Sequence, residues 1–256
     1  MRRRTGALPL AVLALLAGRP AVAGEAAQPD DLQPITIDSA SPLDRGQATA
    51  ELITRWDRDR HGDDLIELRP RAKVGALAGL ELQLALPYTL GSAGEADQAN
   101  LDLAAKYGLR DAGGGLPALS LEADISVPLG SHPGPDTELT LLASQPLTGK
   151  GEDGPSLHLN LSWLHFFDAR SGEERRDGYA AALGVSFPVG QNTGLVADIV
   201  HEDERDRGRA TNLVEAGVRR EVAEGLILSA GAGTGLAGDS PEVRLTVGLQ
   251  HPFRAF

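Results

Sequence analysis

The sequence predicts an all-β chain: a transmembrane, antiparallel, up-and-down β-barrel of about 12 strands. Three observations lead there. Apolar residues recur at every second position through most of the chain. The chain opens like an exported protein, and past that opening no apolar stretch is long enough to cross a membrane as a helix.

The period of two is plain in several stretches. Leu80, Leu82, Leu84 and Leu86 alternate with Glu81, Gln83, Ala85 and Pro87. Leu119, Leu121, Ala123, Ile125 and Val127 alternate with Ser120, Glu122, Asp124, Ser126 and Pro128. Val243, Leu245, Val247 and Leu249 alternate with Arg244, Thr246, Gly248 and Gln250. Successive side chains of a strand point to opposite faces, so each stretch has one apolar and one polar face. The spacing predicts strands at 48–57, 64–75, 79–89, 98–110, 116–129, 136–146, 155–168, 177–189, 193–203, 210–221, 224–236 and 241–253. These are long for globular strands and suit tilted membrane strands. A soluble two-sheet sandwich also alternates apolar and polar positions. Strand length and the aromatics favour the barrel: Trp56, Tyr88, Phe166, Phe167 and Tyr179 fall at one set of strand ends, and Tyr107, Phe187 and Phe253 at the other.

The opening carries Arg2, Arg3 and Arg4, an apolar run from about Ala7 to Ala17, then Ala21-Val22-Ala23. Residues 1–23 therefore read as a signal peptide cleaved before Gly24. Residues 24–47 hold Pro, Asp and Ser without period and are expected to form a mobile periplasmic leader. Residues 48–256 are the expected outer-membrane barrel, ending in Phe256.

The formal net charge is −12. It becomes −16 (20 basic against 36 acidic residues) without the four arginines of residues 1–23. That balance excludes nucleic acid as a partner, since phosphate contacts need clustered Lys and Arg. There are no cysteines.

Several stretches, in order, resemble a known family. They are Gly79 to Tyr88 (GLELQLALPY), Asn100 to Leu109 (NLDLAAKYGL), Leu116 to Glu122 (LPALSLE), Ile125 to Gly130 (ISVPLG) and Asn212 to Arg219 (NLVEAGVR). Together they are similar to the outer-membrane β-barrel family labelled MetA-pathway of phenol degradation, which is described as transporter-like. Asp102 and Lys106 match that family's fourth strand, whereas Asn100 stands where its members commonly carry glycine. The resemblance implies a transporter-like barrel, supplies no catalytic residues and carries no phenol chemistry with it.

No constellation points to an enzyme or a cofactor. Gly233-Thr234-Gly235-Leu236-Ala237-Gly238 spells G-x-G-x-x-G, but a strand rather than a helix follows it. Gly231, Gly233 and Gly235 instead read as a thin interior strand face. The histidines make no i, i+4 pair and no H-E-x-x-H, so no metal site is expected. His201-Glu202-Asp203-Glu204 reads as a solvated charge run beside Arg205, Arg207 and Arg209. Ser162 and His165 are near in sequence, but their odd spacing turns them to opposite faces.

The polar face is more informative. Alternation puts Glu67, Arg69, Arg71, Lys73, Glu81, Asp102, Lys106, Glu122, Asp124, Glu138, Asp198, Glu215, Arg219, Glu242 and Arg244 on the lumen side. Enclosed charges must be paired or wet. Two readings stay open: a hydrated passage for a small solute, or an ion-paired network closing a structural barrel whose charged outer loops meet partners. Expected partners are outer-membrane lipid, including lipopolysaccharide, the barrel-assembly machinery and a small solute.

Overall fold

The computed structural model describes residues 32–92, 98–130, 134–148, 154–170, 172–190 and 192–256. The expected signal peptide, the first residues of the leader and His132 lie outside the described residues.

Among the described residues thirteen strands form one sheet: β1 (Gln47–Arg58), β2 (Asp64–Leu77), β3 (Leu80–Ala85), β4 (Tyr88–Gly91), β5 (Gln98–Arg110), β6 (Ala118–Pro128), β7 (Asp136–Pro146), β8 (Ser156–Phe166), β9 (Asp177–Pro188), β10 (Thr193–Asp203), β11 (Ala210–Ala223), β12 (Leu226–Gly235) and β13 (Val243–Arg254). All pairings are antiparallel and join sequence neighbours, except that β3 and β4 both pair with β2 and β5, and β1 pairs with both β2 and β13. The sheet therefore closes on itself, which removes free edges. The seam runs from Gln47↔Arg254 to Arg58↔Val243 without a break.

The barrel has twelve staves, because β3 and β4 are two halves of one. The single strand expected over 79–89 is interrupted at Leu86-Pro87. Proline has no N–H to give the ladder. The register survives the gap: Ala85 lies opposite Arg71, Tyr88 lies opposite Leu68, and Leu86 N still donates to Pro70 O at 3.0 Å.

The outer surface is apolar. Leu82, Leu84, Leu121, Ile125, Leu183 and Leu245 face outward, and Leu84 is 44 % exposed. The inward positions between them are polar and buried: Glu81, Lys106, Ser120, Glu215 and Arg244. A water-soluble barrel has the reverse arrangement. A continuous exposed apolar belt around a polar interior is the solution for a wall standing in lipid. Trp163, Phe167 and Tyr179 are exposed near one rim, and Tyr107 and Phe187 near the other. Phe166 departs from the expected aromatic ring. It is buried, and the Arg205 guanidinium sits 5.3 Å from its ring centre. Adjacent residues of a strand face opposite ways, so Phe167 alone turns outward.

The turns at the end that carries Gln47 and Arg254 include two-residue connections. Ala78-Gly79 links β2 to β3, and Glu224-Gly225 links β11 to β12. Both glycines have positive φ, +72° and +67°, as tight hairpin turns require. The other connections at that end are longer, the one between β7 and β8 most of all, and the far-end connections run from five to ten residues.

Residues 32–46 belong to the stretch expected to form a mobile periplasmic leader, and the structure sets them against the barrel. They run inside it. Leu32, Ile35 and Ile37 are buried against Ala182, Val196, Val200 and Leu213 of the inner wall. Ala40 packs with Ala118 and Leu142. The segment looks loop-like in sequence because it has no strand period. Its polar backbone is satisfied by wall side chains rather than by a neighbouring strand.

Candidate functional site: a charged lumen crossed by the chain's own segment

The crossing segment enters at the end that carries β1 and traverses the lumen. Leu43 N donates to Glu81 at 2.8 Å beside the β3 end of the wall. Ala40 N donates to Ser144 Oγ at 2.9 Å, and Ser120 Oγ donates to Ala40 O. Farther across, Ile37 N donates to Asp198 at 2.8 Å. Thr36 donates to Glu215 through both its amide, at 3.2 Å, and its hydroxyl, at 2.5 Å. Strands cannot supply these bonds, because their own amides are committed to the barrel ladders. Inward Glu, Asp and Ser side chains supply them instead.

One ion pair anchors the middle. Lys106 Nζ lies 2.7 Å from the Asp38 carboxylate and 3.5 Å from that of Glu122. Lys106 is 1 % exposed, and it also donates to Ser39 O at 3.3 Å. A cation so enclosed needs such partners. At the far side the wall is thin by design of sequence. Gly217 and Gly231 are cross-strand partners, and a Cβ on either would stand within 2.8 Å of the Pro34 ring. The thin glycine face read from the sequence is thus partly the seat of Pro34.

Beyond the segment the lumen holds a cavity of 560 Å³. Its wall carries Glu67, Arg69, Arg71, Asp102, Glu122, Asp124, Glu138, Glu215 and Arg244 from among the expected lumen residues. Lys73, Glu81, Lys106, Asp198 and Arg219 are buried on the same inner face, nearer the segment or the β1 end. Glu242 departs from the expectation. It sits in the turn before β13, exposed, with its backbone bonded to Arg58 and Thr234. Strand parity does not extend past Pro241, so it cannot place that side chain.

The charges form two distinct walls. On β13, β1 and β2 the basic groups are paired. Arg244 holds Asp57 through two nitrogens, at 2.7 and 2.8 Å. Arg55 bonds Glu67 at 2.9 Å, Arg69 lies 3.3 Å from Glu67 and 3.8 Å from Asp102, and Arg71 bonds Glu51 at 2.5 Å. On β6 and β7, Asp124 stands directly opposite Glu138 in the ladder. Like charges facing each other are tolerated where water or a cation stands between them. In all, eight carboxylates and four arginines line the cavity.

Glu51, Arg55, Asp57, Asp38 and Glu202 belong to this lumen and were missed by the sequence reading. For β1 the signal was present, since Glu51, Ile53, Arg55 and Asp57 share one parity. Glu202 follows Asp198 and Val200 at steps of two. Asp38 had no such signal. The Ser162 and His165 pair does not meet: Ser162 bonds Thr140 at 2.8 Å, and His165 bonds Asp177 at 2.8 Å on the outer side.

No protein-family model matches the chain, and no curated protein matches it. Solved structures do. A COG4313 outer membrane channel from Pseudomonas putida F1 is similar at a TM-score of 0.61 and 16 % identity, over 86 % of this chain and 100 % of that one. A NanC porin is similar at 0.58 and 7 % identity, over 81 % of this chain and 100 % of that one. A KdgM porin is similar at 0.55 and 9 % identity, over 79 % of this chain and 98 % of that one. At these identities the likeness is one of fold. These structural neighbours are outer-membrane barrels, and their names describe porins or a channel.

Proposed function

We propose that the chain stands in the outer membrane of a Gram-negative cell and passes a small polar solute through its charged lumen. The observation that carries this reading is the hydrophilic cavity of 560 Å³ enclosed by a wall whose outside is apolar. A barrel of this strand number lies between small filled barrels and open porins, so its lumen is wide enough for a small solute. The porin and channel names of the structural neighbours agree with it. On this reading the end with both Gln47 and Arg254, which holds the two-residue turns, is periplasmic, the opposite end faces outward, and the signal peptide is cleaved after Ala23. The resemblance to the MetA-labelled family is proposed at the level of a transporter-like barrel only.

The solute would pass the segment of residues 32–46, which narrows the inner half of the lumen. The refolded chain of residues 24–256 is to be compared with one lacking residues 24–43 in planar bilayers. We expect discrete current steps from the first and larger steps from the second. Absence of current from both overturns the passage.

A second reading is a closed structural barrel, and the crossing segment favours it. Its hydrogen bonds to Glu81, Ser144, Asp198 and Glu215 and its ion pair with Lys106 could hold the lumen shut. On that reading the intact chain carries no current and only the shortened one conducts.

A further inference from the structure

Among the described residues, two charged connections at the far rim leave two arginine side chains without carboxylate partners. The β8–β9 connection carries Glu173, Glu174, Arg175 and Arg176, and the β10–β11 connection carries Arg205, Asp206, Arg207 and Arg209. They are bound to each other rather than loose. Glu174 and Asp206 form a β-bridge, Arg175 N donates to Arg205 O at 2.8 Å, and Arg207 N donates to Glu173 O at 2.9 Å.

Among the described residues Glu174, Asp203, Asp136 and Asp206 pair within this crown, while the Glu173 side chain is exposed. Glu174 lies 3.7 Å from Arg205 and 4.0 Å from Arg170. Asp203 pairs with Arg175, Asp136 with Arg205, and Asp206 with Arg209 at 3.3 Å. Among the described residues the Arg176 side chain has no hydrogen-bond or ion-pair partner, and the Arg207 side chain bonds only a backbone carbonyl, that of Glu174, at 2.9 Å. Both are exposed and line one open cleft with Arg175. The carboxylate in that cleft, Asp177, is engaged by His165 at 2.8 Å.

What lies beside the cleft decides the ligand. Trp163 of β8 and Tyr179 of β9 are cross-strand partners on the lipid-facing side, 51 % and 59 % exposed. His165 meets Phe167 edge to face at 4.6 Å next to them. Amphipathic rings of this kind mark the depth where acyl chains give way to headgroups. Arg176 stands three residues beyond Tyr179, about 10 Å along an extended chain. That is headgroup level, and planar guanidinium groups take phosphate through two parallel bonds.

We infer that the β8–β11 rim binds a phosphorylated lipid of the outer leaflet, its phosphate held by Arg176 and Arg207 and its acyl chains lying over Trp163 and Tyr179. The site is separate from the lumen and takes no part in conductance.

The test is native mass spectrometry of the refolded chain, titrated with diphosphorylated lipid A, with dephosphorylated lipid A and with inorganic phosphate. The parent should retain diphosphorylated lipid A, and R176Q/R207Q should bind it about ten-fold more weakly or worse. Arg110→Gln, at the opposite end of the barrel, should bind as the parent does. Arg176→Gln has no contact to lose, so it alone keeps the test open should the double variant fail to fold. Its channel currents should match the parent's, which separates this site from the passage. Equal retention by the parent and Arg176→Gln overturns the proposal. So does equal binding of the dephosphorylated lipid, or displacement by inorganic phosphate at matched concentration, which would mark a free-phosphate site.

Discussion

Lys106 of β5 and Asp38 of the crossing segment lie 2.7 Å apart, 68 positions apart in the chain. The bond ties a stretch that belongs to no strand to a wall that would close without it. Asp38→Asn should therefore loosen the segment while leaving the barrel intact. Limited proteolysis should cut between residues 32 and 46 several-fold faster in the variant, with unchanged heat-modifiable migration on gels. Lys106→Met should do the same and, by leaving Asp38 and Glu122 without their cation, should also lower folding stability, by up to roughly 3–5 kcal/mol if that site is dry. Equal cleavage rates in parent and Asp38→Asn would show that the ion pair does not hold the segment.

Gly217 offers a steric test of the same seat. A Cβ there would lie 2.6 Å from the Pro34 ring, closer than real carbons approach. Gly217→Ala should cost about 1–3 kcal/mol, the usual range for overpacking. Pro34→Gly should recover most of that loss, since two groups in contact do not behave additively. The check is a double-mutant cycle in urea. Additive losses would place Pro34 elsewhere.

The lumen charges predict selectivity. Eight carboxylates against four arginines around the cavity should make the channel prefer cations. Arg71→Gln removes one positive charge from beside Glu51, so it should shift the reversal potential further toward cations in a salt gradient. On the closed-barrel reading the same variant loses heat resistance and stays silent. If neither quantity moves, Arg71 contributes to neither.

The outer face is tested by a neighbouring pair on one strand. Leu84 is on the apolar side, and Gln83 lines the cavity. Leu84→Arg should cost roughly 2–4 kcal/mol if the site is near the bilayer midplane, and Gln83→Arg far less. Folding titrations in lipid vesicles measure both. Similar values would contradict the membrane facing.

The wall was legible because its chemistry is periodic. Leu80 to Leu86 announces an outer face in lipid, and Glu81, Asp102 and Lys106 follow on the inner one by parity alone. Parity stops where a strand stops, so Glu242 was misplaced by one turn and Phe166 was assigned to a ring it faces away from. The break at Leu86-Pro87 was missed because the apolar pattern continues across it. The largest omission was the crossing segment. Leu32, Ile35 and Ile37 are buried against Ala182, Val196 and Leu213, yet no spacing links them to those residues. Contacts between an aperiodic stretch and a periodic wall leave no trace in the alternation of either.

The narrowing of the lumen by residues 32–46 has an evolutionary consequence. In a barrel whose bore is set by its wall, every change of bore alters a residue that also pairs in a ladder. Here a linear peptide lies against the inner wall and occupies part of the lumen. Residues 32–46 belong to no strand, so substitutions there can reshape the lumen without touching a strand-to-strand ladder bond. On the proposed passage reading, solute preference and barrel stability would then drift separately. Descendants of one scaffold could differ in what they admit while keeping the same wall.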